Sequence, residues 1–211
     1  IACYQQGAER FGWNRRNPEP RSMRNGRQLV GWGMAGGVWE AMQMKASAKA
    51  SIDASGKLTV SSATTDIGTG TYTVMVQIAA EAVGVKHDDV TFVLGDSSLP
   101  TAPLQGGSFT VSSVGTAVQQ ACQALRAKLL DAVRMTHPQF AVVDMEDIAF
   151  GDGYLIIQDQ RFAYGDIVRE SSHDVLEVQI DAEPDEKRNA YATATHSAVF
   201  VEVFVDEDLG S

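Results

Sequence analysis

The chain has 211 residues, of which 44% are hydrophobic, and it carries a formal net charge of −10 at pH 7. This length and apolar content are enough to bury the core of one large domain or two small ones. No stretch approaches the roughly 18 consecutive apolar residues of a membrane span, so we expect no such span. Cys3 and Cys122 lack the spacing of a zinc site or a disulfide framework, and we predict two ordinary, partly buried thiols.

The first 28 residues predict a helix tail and a linker that belong to the preceding part of a larger subunit. The helical pattern covers residues 1–12, and Pro18 and Pro20 break the irregular segment over residues 13–28. The many arginines here would also suit an anion or nucleic-acid patch. Because no aromatic residues alternate with them, we predict an exposed connector that lies against an acidic surface, and no nucleic-acid binding. The arginines are Arg10, Arg15, Arg16, Arg21, Arg24 and Arg27.

Residues 29–211 mix helices and strands without strict β-α-β alternation, which favours an α+β fold with mixed sheets and packed helices. MKASAKASID, KLTVSSATT and DDVTFVLGD predict strands, and helical spacing extends over residues 71–84 and about 112–135. The last third predicts a hairpin with a Gly-Asp-Gly turn, a short helix, a strand, a charged loop and a long final strand. The apolar face of the second helix consists of Val118, Cys122, Leu125, Leu129 and Val133.

Both ends of the chain have the pattern of interrupted elements. Ile1 falls within a helical pattern, and the strand that would pair back across the turn at 206–210 is missing. We therefore expect a segment truncated at both ends, in which the strand over residues 190–205 keeps an unpaired edge. Unpaired edges recruit other chains, so self-association of the isolated segment is expected.

Two glycine-rich loops with short hydroxyl side chains lead into predicted helices, at residues 65–71 and 105–110. Glycine lets a ligand approach the backbone closely, and the amides of a first helical turn favour an anionic or acceptor-rich ligand. The alternative is that the hydroxyls only cap the helices. Between Leu58 and Leu125 the only Lys or Arg is Lys86, so a phosphate here would be held by amides and hydroxyls. Neither loop has the spacing of a P-loop or a Rossmann fingerprint.

Groups that could perform catalysis are scarce. The histidines have no metal-ligand spacing, and no nucleophile elbow is present. Glu40 and Asp66 are the acids nearest the glycine-rich segments, and either could be a general base, although Asp66 is better placed to accept hydrogen bonds from loop amides. We therefore assign no catalytic residue and no direct metal ligand. The four histidines are His87, His137, His173 and His196.

Two long motifs follow each other in a recognisable order: TTDIGTGTYTVMVQIAAEAVGV, and then VTFVLGDSSLPTAPLQGGSFTVSSVGTAVQQACQALRAKL. Together with QQGAERFGWNRR and GRQLVGWGMAGGVWEA before them, they resemble the large, molybdopterin-binding subunit of the xanthine dehydrogenase/aldehyde oxidase family of molybdenum hydroxylases. Within that family the bacterial aldehyde oxidoreductase branch is most similar. The resemblance covers residues 1–210 and implies that residues 29–211 are part of the molybdenum-cofactor-binding domain.

The resemblance implies a molybdopterin cofactor with molybdenum, in bacteria usually as the cytosine dinucleotide. Family members hydroxylate aldehydes or N-heterocycles with water as the oxygen source, and a glutamate late in the subunit is the base. Electrons leave through 2Fe–2S clusters and FAD in partner subunits or domains. The Gly-x-Gly-Glu motif of that base is absent from these 211 residues, so the segment alone is expected to be inactive.

The resemblance also assigns individual residues. The first loop would hydrogen-bond the pterin, the second would wrap the dithiolene and the metal, and residues 37–40 would border the substrate pocket. Thr69 stands where xanthine-oxidising members carry glutamine, which favours an aldehyde over a purine. The expected cofactor-binding residues are Ile67, Gly68, Thr69, Gly70, Gln105, Gly106, Gly107, Ser108 and Thr110, and the expected substrate-pocket residues are Val38 and Trp39.

Two alternatives stay open at this point. A catalytically silent relative could act as a scaffold or interaction subunit, which would agree with the missing base motif and with Thr69. A stand-alone nucleotide-binding module would also use the N-termini of the two helices.

Overall fold

The computed structural model describes residues 1–210, and its internal contacts divide them into two compact units. The first unit comprises residues 1–41 and 189–210, and the second comprises residues 42–188. In chain order the helices and strands are α1 (Ala2–Phe11), β1 (Arg24–Asn25), β2 (Gln28–Glu40), β3 (Ala46–Asp53), β4 (Leu58–Ser61), α2 (Thr71–Val83), β5 (Val90–Val93), α3 (Thr116–Thr136), β6 (Ile148–Gly151), β7 (Tyr154–Ile157), β8 (Gln160–Ala163), α4 (Tyr164–Glu170), β9 (Val175–Ala182) and β10 (Ala194–Asp206).

The first unit is a three-stranded antiparallel sheet, in the order β1-β2-β10, with α1 packed on it. β2 and β10 pair along the whole 13-residue length of each strand. An aromatic cluster joins the helix to the sheet, since the Phe11 ring centroid lies 4.7 Å from that of Trp32 and 5.6 Å from that of Phe200. A Cβ atom on Gly7 would lie 2.5 Å from the Phe200 ring. This close approach explains a glycine in mid-helix, where it otherwise costs stability.

The arginine-rich connector lies against an acidic turn of the same unit, as predicted. Arg21 and Arg24 both pair with the Glu207 carboxylate, and Arg24 does so at 2.6 Å. Arg27 pairs with Asp208 at 2.8 Å. Hydrogen bonds from Arg24 first, and then from Arg21, lower the pKa of Glu207 below its usual value. The positive charges of Arg21, Arg24 and Arg27 are therefore matched within the unit.

The second unit is built on a four-stranded sheet in the order β5-β4-β3-β9, with α2 and α3 packed on it. β4 and β5 are parallel, and the other neighbours are antiparallel. Burial raises the pKa of the Cys122 thiol to about 12, so this cysteine is an unreactive packing group. The apolar face predicted for α3 is confirmed, because at most 1% of each side chain is exposed for Val118, Cys122, Leu125, Leu129 and Val133.

A small sheet in the order β6-β7-β8 belongs to the second unit. β6 and β7 form the predicted hairpin, and its turn residues Asp152 and Gly153 have φ angles of 52° and 78°, as a type I′ turn requires. The Tyr164 hydroxyl donates to the Val83 carbonyl at 2.6 Å, and the Gly153 amide donates to the Gly84 carbonyl at 2.9 Å. The first bond fixes the end of α2 to the start of α4, and the second fixes it to the hairpin.

The mixed sheets with packed helices confirm the α+β fold, but several elements differ from the predictions. β1 and β2 were not predicted as strands, and the pairing of β2 with β1 and β10 places residues 28–40 in the first unit. β8 is an additional strand. The helix expected over about 112–135 begins at Thr116, after a π-helical turn at Val111–Gly115. No helix within residues 1–210 combines the length and hydropathy that a membrane span needs.

Candidate functional site

The two glycine-rich loops lie side by side in the second unit. The first loop (Thr65–Thr71) follows β4 and leads into α2, and the second loop (Gln105–Thr110) follows β5 and leads into α3. Because β4 and β5 are adjacent and parallel, their carboxyl ends meet at one edge of the sheet, where ligands commonly bind. A concave space of about 450 Å³ opens between the loops. Its lining consists of Ile67, Thr69, Thr71, Val74, Gln105, Gly106, Gly107, Ser108, Thr110 and Val111.

Asp66 organises the first loop. Its Oδ1 atom accepts hydrogen bonds from the amides of Gly68 (2.8 Å), Thr69 (3.1 Å) and Gly70 (3.3 Å), and its Oδ2 atom accepts one from the amide of Tyr72 (3.3 Å). These bonds, that of Gly68 first, lower the pKa of the Asp66 carboxyl below its usual value. The prediction that Asp66 accepts hydrogen bonds from loop amides is confirmed, and a lowered pKa makes it a weaker base.

The same bonds correct the expectation that the amides at the start of α2 attract an anionic ligand. The Tyr72 amide in the first turn of α2 and the amides of Gly68, Thr69 and Gly70 before it are already paired with a carboxylate, which also places negative charge in the loop. Gly68 and Gly70 have φ angles of 100° and 80°, and a Cβ atom on either would meet no atom within 4 Å. The first loop therefore offers a ligand open approach to its backbone and the exposed hydroxyl of Thr69.

The second loop turns sharply at Gly107 and Ser108. Both residues have positive φ angles, 58° and 60°, and the Phe109 amide donates to the Gly106 carbonyl at 3.3 Å, which is the pattern of a type I′ turn. A Cβ atom on Gly107 would lie 2.8 Å from both Met42 Cε and the Phe109 ring. Only 5% of Phe109 is exposed, so its buried ring anchors the loop and only glycine fits at position 107.

Gln105 links the two loops through its side-chain amide. The Nε2 atom donates to Thr69 Oγ1 at 3.0 Å and to Thr71 Oγ1 at 3.4 Å. The Oε1 atom accepts from Thr110 Oγ1 at 3.1 Å and from Thr64 Oγ1 at 3.4 Å. An amide group has two N–H donors and two acceptor positions, so the capacity of Gln105 is fully used. We call these five side chains the Gln105 clasp.

A segment just before β3 holds the π-helical turn that precedes α3. Ser112 Oγ donates to the Met42 carbonyl at 2.7 Å, and the Met44 amide donates to Ser113 Oγ at 2.9 Å. Gln43 Nε2 donates to the Ser112 carbonyl at 2.8 Å. Turns of this kind are frequent at functional sites. The sequence did not predict this contact, for which a polar Gln43 between two methionines was the only signal.

The structure brings the predicted residues of both loops together but places Val38 and Trp39 elsewhere in the chain. Both belong to β2 of the first unit, with 62% and 54% of each residue exposed. Their place in a substrate pocket stays a prediction. Across residues 1–210, no group of three or more His, Cys, Asp or Glu side chains has an arrangement that could hold a metal ion.

Comparison with known proteins agrees with this arrangement. The model of the molybdopterin cofactor-binding domain family matches residues 6–211. The chain is 38% identical over 153 residues to the aldehyde oxidoreductase molybdenum-binding subunit PaoC of Escherichia coli (strain K12). This match covers 72% of the chain and 20% of PaoC. The chain is 27% identical over 135 residues to the putative xanthine dehydrogenase molybdenum-binding subunit XdhA of the same strain, covering 61% of this chain and 18% of XdhA.

The fold also matches solved structures. Quinoline 2-oxidoreductase from Pseudomonas putida 86 superimposes with a TM-score of 0.75 at 18% sequence identity, over 98% of this chain and 28% of that chain. At so low an identity this likeness shows the fold alone. The chain spans about one-fifth of the length of the curated relatives that it matches.

Proposed function

Because the chain belongs to the molybdopterin cofactor-binding domain family, we propose that its two loops hold a molybdopterin cofactor in the large subunit of a molybdenum hydroxylase. The observation that supports this most is the concave space of about 450 Å³ between the loops, at the carboxyl ends of two parallel strands. Of the nine residues that the sequence singles out for the cofactor, seven line this space, and Gly68 and Gly70 lie in the same loop.

The lining residues suit a planar ring with a polar edge, such as a pterin. The hydroxyls of Thr69, Ser108 and Thr110 can donate or accept at that edge, and the glycines leave room for the ring to approach the backbone. Ile67 is 71% exposed and offers an apolar surface for a ring face. No lining residue is cationic, so we expect residues outside the two loops to neutralise the phosphates of the cofactor, which we propose to be the cytosine dinucleotide.

The loops hold and orient the pterin, while the reaction needs groups from the rest of the subunit. When bound, the molybdenum centre supplies a two-electron oxidation with water as the oxygen source. Within this chain, Asp66 keeps the first loop in shape, and its lowered pKa argues against a role as the base. We propose that the base lies in another part of the subunit and that electrons pass to 2Fe–2S and FAD groups in partner subunits or domains.

We propose an aldehyde as the substrate, in preference to a purine or another N-heterocycle. Thr69 has no amide at the position where xanthine-oxidising members carry glutamine, and PaoC, an aldehyde oxidoreductase subunit, is more similar to the chain than XdhA. The complete subunit, purified with its partners, is therefore expected to oxidise benzaldehyde with a kcat/KM about tenfold or more above that for xanthine, a ratio within reach of pocket contacts. A higher kcat/KM for xanthine would contradict this substrate class.

A catalytically silent scaffold or interaction subunit is the second candidate. It would agree with the missing Gly-x-Gly-Glu motif within these 211 residues and with Thr69. The sequence of the gene downstream of residue 211 discriminates between the two candidates. A Gly-x-Gly-Glu motif there supports the enzyme, and a substituted glutamate supports the scaffold.

We also propose that the chain by itself associates through β10. In the sheet that the structure describes, β10 has β2 as its only neighbour, which leaves one edge of a 13-residue strand unpaired. Val199, Val201 and Val203 alternate along it with 46–54% of each residue exposed. Sedimentation velocity is expected to show dimers or larger species that increase with concentration, and a clean monomer at high concentration would contradict the proposal.

A further inference from the structure

The Gln105 clasp leaves its central side chain without hydrogen-bonding capacity for a ligand. Both N–H groups of Gln105 donate to threonine hydroxyls of the first loop. Both acceptor positions of its carbonyl accept from the hydroxyls of Thr110 and Thr64. Gln105 lies 36 positions after Thr69 in the chain, so its side chain is a cross-link between separate loops. The expected contact of the Gln105 side chain with the cofactor is therefore replaced by a different role.

The clasp also determines how two hydroxyls on the wall of the pocket can bond. Thr69 Oγ1 accepts a hydrogen bond from Gln105 and so keeps its own proton, which can be donated to a ligand when Thr71 Oγ1, 3.4 Å away, is the donor of the bond between these two hydroxyls. Thr110 Oγ1 donates a hydrogen bond to Gln105 Oε1, so only its lone pairs are left for a ligand. A hydroxyl has one donor and two acceptor positions, so Thr110 can only accept from a ligand, whereas the bond from Gln105 leaves Thr69 its proton and one lone pair.

We propose that Gln105 is a positioning residue that leaves the Thr69 proton available to the ligand and limits Thr110 to accepting from it. The pocket then selects a heterocycle edge that presents an acceptor atom to the first loop and an N–H group to the second. This inference rests on the proposed function, since it assigns these two contacts to the pterin. It makes Gln105 act through Thr69 and not by touching the cofactor.

Replacing Gln105 with glutamate, in the complete subunit purified with its partners, tests directly whether Gln105 leaves the Thr69 proton available to the ligand. A carboxylate has no proton to donate, so the Thr69 hydroxyl must turn to donate to it and is lost to the cofactor, while Thr110 keeps its bond. We expect Gln105→Glu to release the pterin about tenfold faster than the wild type, the order of effect of one hydrogen bond, with little change in Tm. Gln120, an exposed residue of α3, is the matched control, and Gln120→Glu is expected to release the pterin at the wild-type rate.

Double variants separate this role from simple charge repulsion. If Gln105 acts through Thr69, Gln105→Glu adds less than about twofold to the release rate in a Thr69→Val background, because the donor is already gone. In a Thr110→Val background the full effect of about tenfold is expected to remain. If Gln105→Glu raises the release rate equally in all backgrounds, its charge repels the cofactor. If its effect depends on Thr110 alone, then Thr110 and not Thr69 is the residue through which Gln105 acts. Either result would overturn the inference.

Hydrogen exchange gives a readout that does not depend on activity. Gln105→Met removes all four bonds of the clasp at nearly constant volume, so the amides of residues 64–72 and 104–111 are expected to exchange faster together. Unchanged exchange in either segment would contradict the cross-link. If the wild-type subunit holds no pterin, the proposed function fails and this inference with it. If the wild type holds pterin and Gln105→Glu releases it at the same rate, only the inference fails.

Discussion

Replacing Asp66 with alanine is expected to lower the molybdenum and pterin content of the complete subunit roughly tenfold, the usual order for groups that orient a binding shell. The Asp66 carboxylate holds four amides of the first loop, and two glycines of that loop, Gly68 and Gly70, have positive φ angles that little else restrains. Without the carboxylate the loop loses the single conformation in which Thr69 faces the second loop. Metal analysis and fluorescence of the oxidised pterin, each per folded subunit, measure the loss.

Asp53 provides a matched control for this experiment. Its Oδ1 atom accepts from the Ser55 amide, the Ser55 hydroxyl and the Lys57 amide at 2.6–3.2 Å, and these bonds lower its pKa in the same way, with the Ser55 side chain first. The turn it closes joins β3 to β4, so it precedes β4 whereas the first loop follows that strand. Asp53→Ala is expected to keep its cofactor, and an equal loss in both variants would refute a specific role for Asp66.

Gly84→Ala is expected to reduce the free energy of unfolding of the second unit by about 2–5 kcal/mol. Gly84 ends α2 with a φ angle of 78°, where a Cβ costs roughly 1–2 kcal/mol. That Cβ would also lie 2.6 Å from the Phe150 carbonyl oxygen and 2.9 Å from Gly151 Cα. Backbone atoms yield less than side chains, and such overpacking costs about 1–3 kcal/mol more. Urea unfolding followed by circular dichroism at the helix band measures the effect.

The matched control is Gly153→Ala. Gly153 has the same φ angle of 78°, but a Cβ there would meet no atom within 4 Å, so only the backbone cost of about 1–2 kcal/mol is expected. Circular dichroism is the appropriate probe because α2 and α3 belong to the second unit, whereas Trp13, Trp32 and Trp39 all belong to the first. If both variants lose the same free energy, the close approach of Phe150 and Gly151 to Gly84 adds no cost beyond that of the backbone conformation.

Elements with a strong local pattern were predictable from the sequence. The helical spacing of residues 71–84 and the single apolar face of α3 follow from side chains that recur every three or four residues. The Gly-Asp-Gly turn follows from backbone angles that glycine adopts most easily. The glycine-rich loops were also identifiable, because few residue types combine short hydroxyls with an open backbone.

Features that depend on distant parts of the chain were not predictable in this way. β2 is rich in glycine, which has low strand propensity, and its pairing with β10 depends on residues more than 150 positions away. Hydrogen bonds from loop amides to Asp66 could be suggested, but not that they would occupy the amides of Gly68, Thr69, Gly70 and Tyr72 together. Gln105 was assigned to the ligand, whereas its bonds to Thr69 and Thr71 exist only because β4 and β5 lie side by side.

The most direct test of the central proposal is the molybdenum and oxidised-pterin content of the complete wild-type subunit, purified with its partners from cells that supply the cofactor. If the two loops form part of a cofactor cradle, the subunit contains close to one molybdenum and one pterin nucleotide per chain. A folded subunit that contains neither, although the cofactor is available in the cells, would contradict the proposal and favour the scaffold.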